Sequence, residues 1–181
     1  MKNFLYLLVL LPAIVLAQQG QIIMNKIDIK PNSRLAFNGT LSQGVLLHDL
    51  SWAWASNNAC FVQNRKEKFN GNHVFFEGVI PKNSDMEVTV VPKDPSKDLS
   101  IYAFQTSVFK KDMVPNLQRC VRCEADWFRE AYYVGKEPQD HTRTVQNLIA
   151  ISRPYRVVIA VVGAEGLTQG DFQIIVTTKS R

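Results

Sequence analysis

The stretch Pro154-Tyr-Arg-Val-Val-Ile-Ala-Val-Val162, followed by Gly163-Ala-Glu-Gly-Leu-Thr-Gln-Gly170 and Asp171-Phe-Gln-Ile-Ile-Val-Thr177, decides the fold. Its first run is apolar and largely β-branched at nearly every position, which fits a strand covered on both faces in the middle of a sheet. Its second run alternates. Phe172, Ile174 and Val176 share one face, and Asp171, Gln173 and Thr177 the other, as in a strand with one wet side. Gly163, Gly166 and Gly170 between them are suited to a reversing loop with positive φ. The expectation is a closing β-hairpin at the end of an all-β sandwich.

Working outward, strand signals recur at sandwich-like spacing: Arg34–Leu41, Leu46–Ala55, His73–Ile80, Met86–Pro92, Leu99–Thr106 and Thr144–Ile151. Pro81-Lys-Asn-Ser-Asp85 and Lys93-Asp-Pro-Ser-Lys-Asp98 punctuate them as turns. About eight short strands of this kind define an antiparallel β-sandwich or jelly roll. Residues 107–143 break the rhythm as one long insertion loop, with a short helix expected near 124–132. Residues 18–32 read as a leader carrying a short strand at Lys26–Lys30, and 33–181 as a single domain.

The N-terminus carries an export signal. Lys2 is the only charge before the apolar run Phe4–Leu16, and Val15-Leu-Ala17 has the small residues of a cleavage site, so residues 1–17 read as a signal peptide. That run is too short to span a bilayer, and no later segment is apolar enough to do so. Removing residues 1–17 leaves 164 of the 181 residues and takes the formal charge from +5 to +4 through loss of Lys2. An exported chain, periplasmic or extracellular, is the expectation. The basic residues form no block. Arg65-Lys-Glu-Lys68, the densest cluster, reads as a solvated turn, so no nucleic-acid partner is expected.

Phe37-Asn-Gly-Thr-Leu41, Ser84-Asp-Met-Glu-Val-Thr-Val90, Leu99-Ser-Ile-Tyr-Ala-Phe104, Tyr155-Arg-Val-Val-Ile-Ala-Val161 and Thr168-Gln-Gly-Asp-Phe-Gln-Ile174, in this order, resemble the bacterial pre-peptidase C-terminal domain. The collagen-binding modules of bacterial collagenases share that architecture. The resemblance covers residues 33–178. It implies a jelly-roll-like sandwich associated with secreted enzymes, some members binding substrate polymers or calcium. The Cys-containing insertion departs from that pattern.

Three cysteines, Cys60, Cys120 and Cys123, suit a disulfide-permissive compartment but cannot all pair within one chain. A bridge from Cys60 to Cys120 or Cys123 would close a loop of about 60 residues, worth about 4 kcal/mol on the chain-entropy model. A local Cys120–Cys123 bridge, a thiol-redox pair, or a zinc site completed by His48, His73 or His141 are the alternatives. Leu50, Trp52 and Trp54 fall on one face of their expected strand. They fill the core or form an exposed aromatic platform. Trp127, Tyr132 and Tyr133 form a second candidate platform on the insertion.

Acids occur singly at turns. Asp94, Asp98 and Asp126 are the calcium candidates, and ordinary turn chemistry is the plainer reading. Neither G-x-S-x-G nor H-E-x-x-H occurs, and no catalytic residue is assigned. The expected function is therefore a non-catalytic module without a cofactor that binds an extracellular polysaccharide or protein surface. The alternative is a thiol-redox or metal-binding protein built on Cys60, Cys120 and Cys123.

Overall fold

The computed structural model describes residues 21–51, 63–114, 117, 122–125 and 140–181. Ten strands lie within them: β1 (Met24–Lys26), β2 (Ser33–Thr40), β3 (Val45–Leu46), β4 (Asn72–Ile80), β5 (Ser84–Pro92), β6 (Leu99–Ser107), β7 (Arg122–Glu124), β8 (Arg143–Ala150), β9 (Tyr155–Gly163) and β10 (Asp171–Ser180). They form two sheets. One runs β1-β4-β9-β6-β7, with β3 also on β4, and the other runs β2-β10-β5-β8. The fold is an all-β sandwich. Pairing is antiparallel except for β1 on β4, where Met24 sits opposite Phe75 in parallel.

The core between the sheets follows from period-two patterning. Val74 and Phe76 of β4, Ile101 and Ala103 of β6, and Val157, Ile159 and Val161 of β9 face Val88 and Val90 of β5 and Phe172, Ile174 and Val176 of β10. Strand β9 is flanked by β4 and β6 and is buried at every position after Tyr155. Strand β10 alternates buried and partly exposed residues through its middle, as its sequence requires.

The closing element is not a hairpin. Strands β9 and β10 belong to different sheets, so residues 164–170 cross from one layer of the sandwich to the other. Gly166 and Gly170 take positive φ, +79° and +151°. Gly163 has a different role: a Cβ there would stand 2.0 Å from the Leu167 carbonyl oxygen, so the arch closes only on a bare backbone.

Four other expectations are corrected. Of the strand expected over Leu46–Ala55, the described residues 45–51 form a strand only at Val45–Leu46, and residues 47–50 leave the sheet; residues 52–55 lie outside the described residues. The strand expected at Lys26–Lys30 is Met24–Lys26, and the leader is no appendage, since Ile27 and Ile29 enter the core. The insertion contains strand β7, added to the β6 edge with Tyr102 opposite Cys123, so Glu124 is extended rather than helical. Finally, Lys68 is not simply solvated. It closes a 3-10 helix (Gln63–Phe69) and binds Asp98 and Glu165, each at 2.9 Å.

Among the described residues no helix is long and apolar enough to cross a membrane.

Candidate functional site

Alternation on β4, β6 and β9 gives the six-stranded sheet a second apolar face, directed away from the sandwich core. Register places His73, Val162 and Ser100 in one row across it, and Phe75, Ala160 and Tyr102 in the next. The small Ala160 leaves room for the rings beside it. Phe75 and Tyr102 meet edge to face, 6.5 Å between centroids at 74°. Phe69, Phe104, Val158 and Val162 extend this cluster.

A second sheet would normally cover such a face. Here two chain excursions do. Leu50 enters the cluster from the first, and Val114, Leu117 and Ala125 enter it from the second, with Cys123 packed against them. Leu50 lies two residues before Trp52, and Ala125 two before Trp127. The anchors of both tryptophan-bearing segments therefore stand in one layer. Trp52, Trp54, Trp127, Tyr132 and Tyr133 themselves lie outside the described residues, as do Cys60, Cys120, Asp126, the expected signal peptide and the rest of the expected helix. Cys123 is disulfide-bonded, and its partner lies outside the described residues.

His73 occupies the rim of this layer and is 1% exposed. Its ring stacks on Phe75 (5.9 Å, 24°) and meets Tyr102 edge-on (5.8 Å). Nδ1 lies 3.0 Å from the Gly71 carbonyl oxygen, which fixes the neutral tautomer with its proton on Nδ1. Nε2 and the Ser100 hydroxyl, both buried, find no hydrogen-bond partner among the described residues. The two residues sit two strands apart and do not hydrogen-bond, so they form no nucleophile–base couple. Burial lowers the His73 pKa from 6.5 to about 4, the Gly71 bond opposing it only in part. Burial likewise raises the Tyr102 hydroxyl well above its ordinary value.

A second polar cluster lies at the end of the sandwich formed by residues 93–98 and 164–170. Asp98 accepts from Lys68 at 2.9 Å and from Arg143 Nη2 at 3.3 Å. Arg143 Nη2 also donates to His141 Nδ1 at 3.0 Å. Burial alone would lower the Lys68 pKa, but Glu165 and Asp98 outweigh it and raise it. Two open depressions of about 530 and 580 Å³ flank this cluster and share Lys97 and Gln169 in their walls. Among the described residues no aromatic side chain lines either.

The calcium candidates at this end are otherwise engaged. Asp94 Oδ1 accepts from the Ser96 amide and hydroxyl, an Asx turn that lowers its pKa. Asp98 faces cations, the reverse of a calcium donor set. Among the described residues no three His, Cys, Asp or Glu side chains converge as metal ligands.

The outer face of the sheet was the feature sequence reasoning missed. Its signal was the unbroken apolarity of β9, which requires cover on both sides, combined with Phe75, Tyr102 and Phe104 alternating against inward residues.

The fold and its covered second face define the class, an all-β sandwich with an accessory layer. No protein-family model, no curated protein and no solved structure matches the chain.

Proposed function

We propose that this protein is a non-catalytic exported binding module, and that the layer over the outer face of the six-stranded sheet holds its aromatic ligand platform. The observation that carries this reading is the burial of Leu50 and Ala125 in one cluster, each two residues ahead of a tryptophan. Leu50 and Ala125, the described residues nearest those tryptophans in sequence, pack on the same face of the sheet. Aromatic rings carried close to such anchors would suit sugar rings or a protein surface. The resemblance to modules appended to secreted enzymes supports the same class of partner, an extracellular polysaccharide or matrix protein.

Pull-down on insoluble cell-wall polysaccharides and on collagen tests this. Trp127→Ala and Trp52→Ala should each weaken retention at least about tenfold while leaving the melting temperature of the sandwich within a few degrees. Undiminished retention of both variants would sink the platform.

The cysteines serve this reading as a staple, with Cys60 as the partner of Cys123. Strand β7 holds Cys123 extended, and three extended residues span roughly 10 Å, past the limit of about 7 Å between the Cα atoms of a bridge. A Cys120–Cys123 bridge thus demands a chain reversal before Arg122. Cys60 instead lies between Leu50 and Phe69, which share the Cys123 cluster. Non-reducing peptide mapping should recover a Cys60–Cys123 peptide with Cys120 alkylated. A Cys120–Cys123 peptide, or bound zinc, would favour the thiol or metal alternative.

A further inference from the structure

The end of the sandwich remote from Asp98 carries exposed apolar side chains where turn chemistry favours polar ones. Residues Ser107–Lys110 form a tight turn closed by the Lys110 amide donating to the Ser107 carbonyl at 2.9 Å. Its two central residues are Val108 and Phe109, positions usually held by Gly, Asn, Asp or Pro. Phe109 is 92% exposed and Val108 37%. The neighbouring turn presents Ile151, 64% exposed.

This tip is held in place. Gln105 Nε2 donates to the Ile149 carbonyl at 3.0 Å, tying β6 to β8 beneath the two turns. Asn83 donates through its amide to the Ile151 carbonyl at 3.1 Å, and its side chain donates to the Arg181 carbonyl at 2.6 Å. Arg156 Nη1 donates to the Asp112 carbonyl at 2.8 Å on the far side of the Phe109 turn. Ordering such side chains into water has no folding benefit, so their exposure points to a partner.

Charge identifies that partner. Around the apolar tip stand Lys82, Lys110, Lys111, Arg153, Lys179 and Arg181, all exposed and none in an ion pair among the described residues, against Asp85 and Asp112. At the opposite end lysines and acids alternate in Lys93-Asp94 and Lys97-Asp98, with no such excess. An apolar tip inside a cationic ring matches the interface of an anionic bilayer, where acyl chains take the rings and branched side chains and phosphates take the ammonium and guanidinium groups.

We propose that this protein docks end-on to anionic phospholipid membranes, inserting Phe109 and Ile151 between the headgroups while the surrounding lysines and arginines hold the phosphates. The chain does not span the bilayer in this arrangement. The aromatic layer on the side of the sandwich stays free for its own ligand, so the proposal stands apart from the polymer-binding reading.

Co-sedimentation with phosphatidylcholine vesicles, with and without phosphatidylglycerol, tests it. The full chain should bind only the anionic vesicles, and less as salt rises, because screening shortens the reach of the charges. Lys110→Gln with Lys111→Gln should cut partitioning by about twenty-five-fold, roughly fivefold per charge. Phe109→Ser with Ile151→Ser should cut it at least about tenfold with the melting temperature unchanged. Phe109→Trp should add an emission component quenched by brominated acyl chains. Absence of binding to phosphatidylglycerol vesicles at low salt would overturn the proposal. So would binding indifferent to Phe109→Ser with Ile151→Ser, which would leave charge alone at work. A dimer in light scattering that Phe109→Ser dissociates would assign the tip to a second copy instead.

Discussion

Replacing Phe75 by Ala should destabilise the protein by about 3–5 kcal/mol, the cost of a large aromatic truncation in a packed core. Phe75 is 1% exposed, although it projects from the side of the sheet facing away from the second sheet. It loses contact with His73, with Tyr102 and with the excursions above, and Ala160 opposite is too small to refill the space. Urea unfolding of the purified variant measures this. A cost below about 1 kcal/mol would mean that the excursions lie loosely on the sheet and collapse into the gap. The outer layer would then be a poor mount for a binding platform.

Acid should weaken the same layer through His73. The unfolded chain takes up a proton near pH 6.5, whereas the buried ring resists it until about pH 4. Between these values the unfolded state binds more protons, so stability rises with pH and is lost as pH falls through that window. The full loss amounts to about 3 kcal/mol. Urea midpoints at pH 7.5 and 4.5 test this against His73→Phe, which keeps a ring between Phe75 and Tyr102 but cannot titrate. At pH 4.5 the variant should exceed the native protein by about 2–3 kcal/mol, with near parity at pH 7.5. Equal acid sensitivity in both proteins would move the effect to the carboxylates. Glu77 is one: burial raises its pKa, but Lys26 and Arg156 overcome this and lower it, so its stabilisation also fades in acid.

These two expectations concern a face that local sequence rules describe only in part. Strands β2, β4, β5, β6, β8 and β9 were legible to within two residues and β10 to within three, because alternation and turn residues are local properties. The 47–50 segment was not. Its apolar spacing suits a strand, yet Leu50 is drawn out of the sheet into one cluster with Phe75 and Tyr102, residues far from it in sequence. Lys68 shows the same effect. Charge density marks a wet turn, but Asp98 and Glu165, brought close by folding, fix that ammonium in place.

The closing arch divides the two kinds of information most clearly. Composition alone makes 155–163 a strand buried on both faces and 171–177 a strand buried on one, since side-chain polarity follows the pleat whatever the partner. The intervening glycines mark a reversal. Whether the chain returns to the same sheet or crosses to the other depends on which edges remain open. Strand β9 is already flanked by β4 and β6, so its hydrogen bonds are spent, and β10 must pair elsewhere, between β2 and β5. Likewise Phe109 and Ile151 are two isolated apolar residues in the chain. Only the packing of β6 beside β8 places them on one tip, ringed by lysines and arginines drawn from separate parts of the chain.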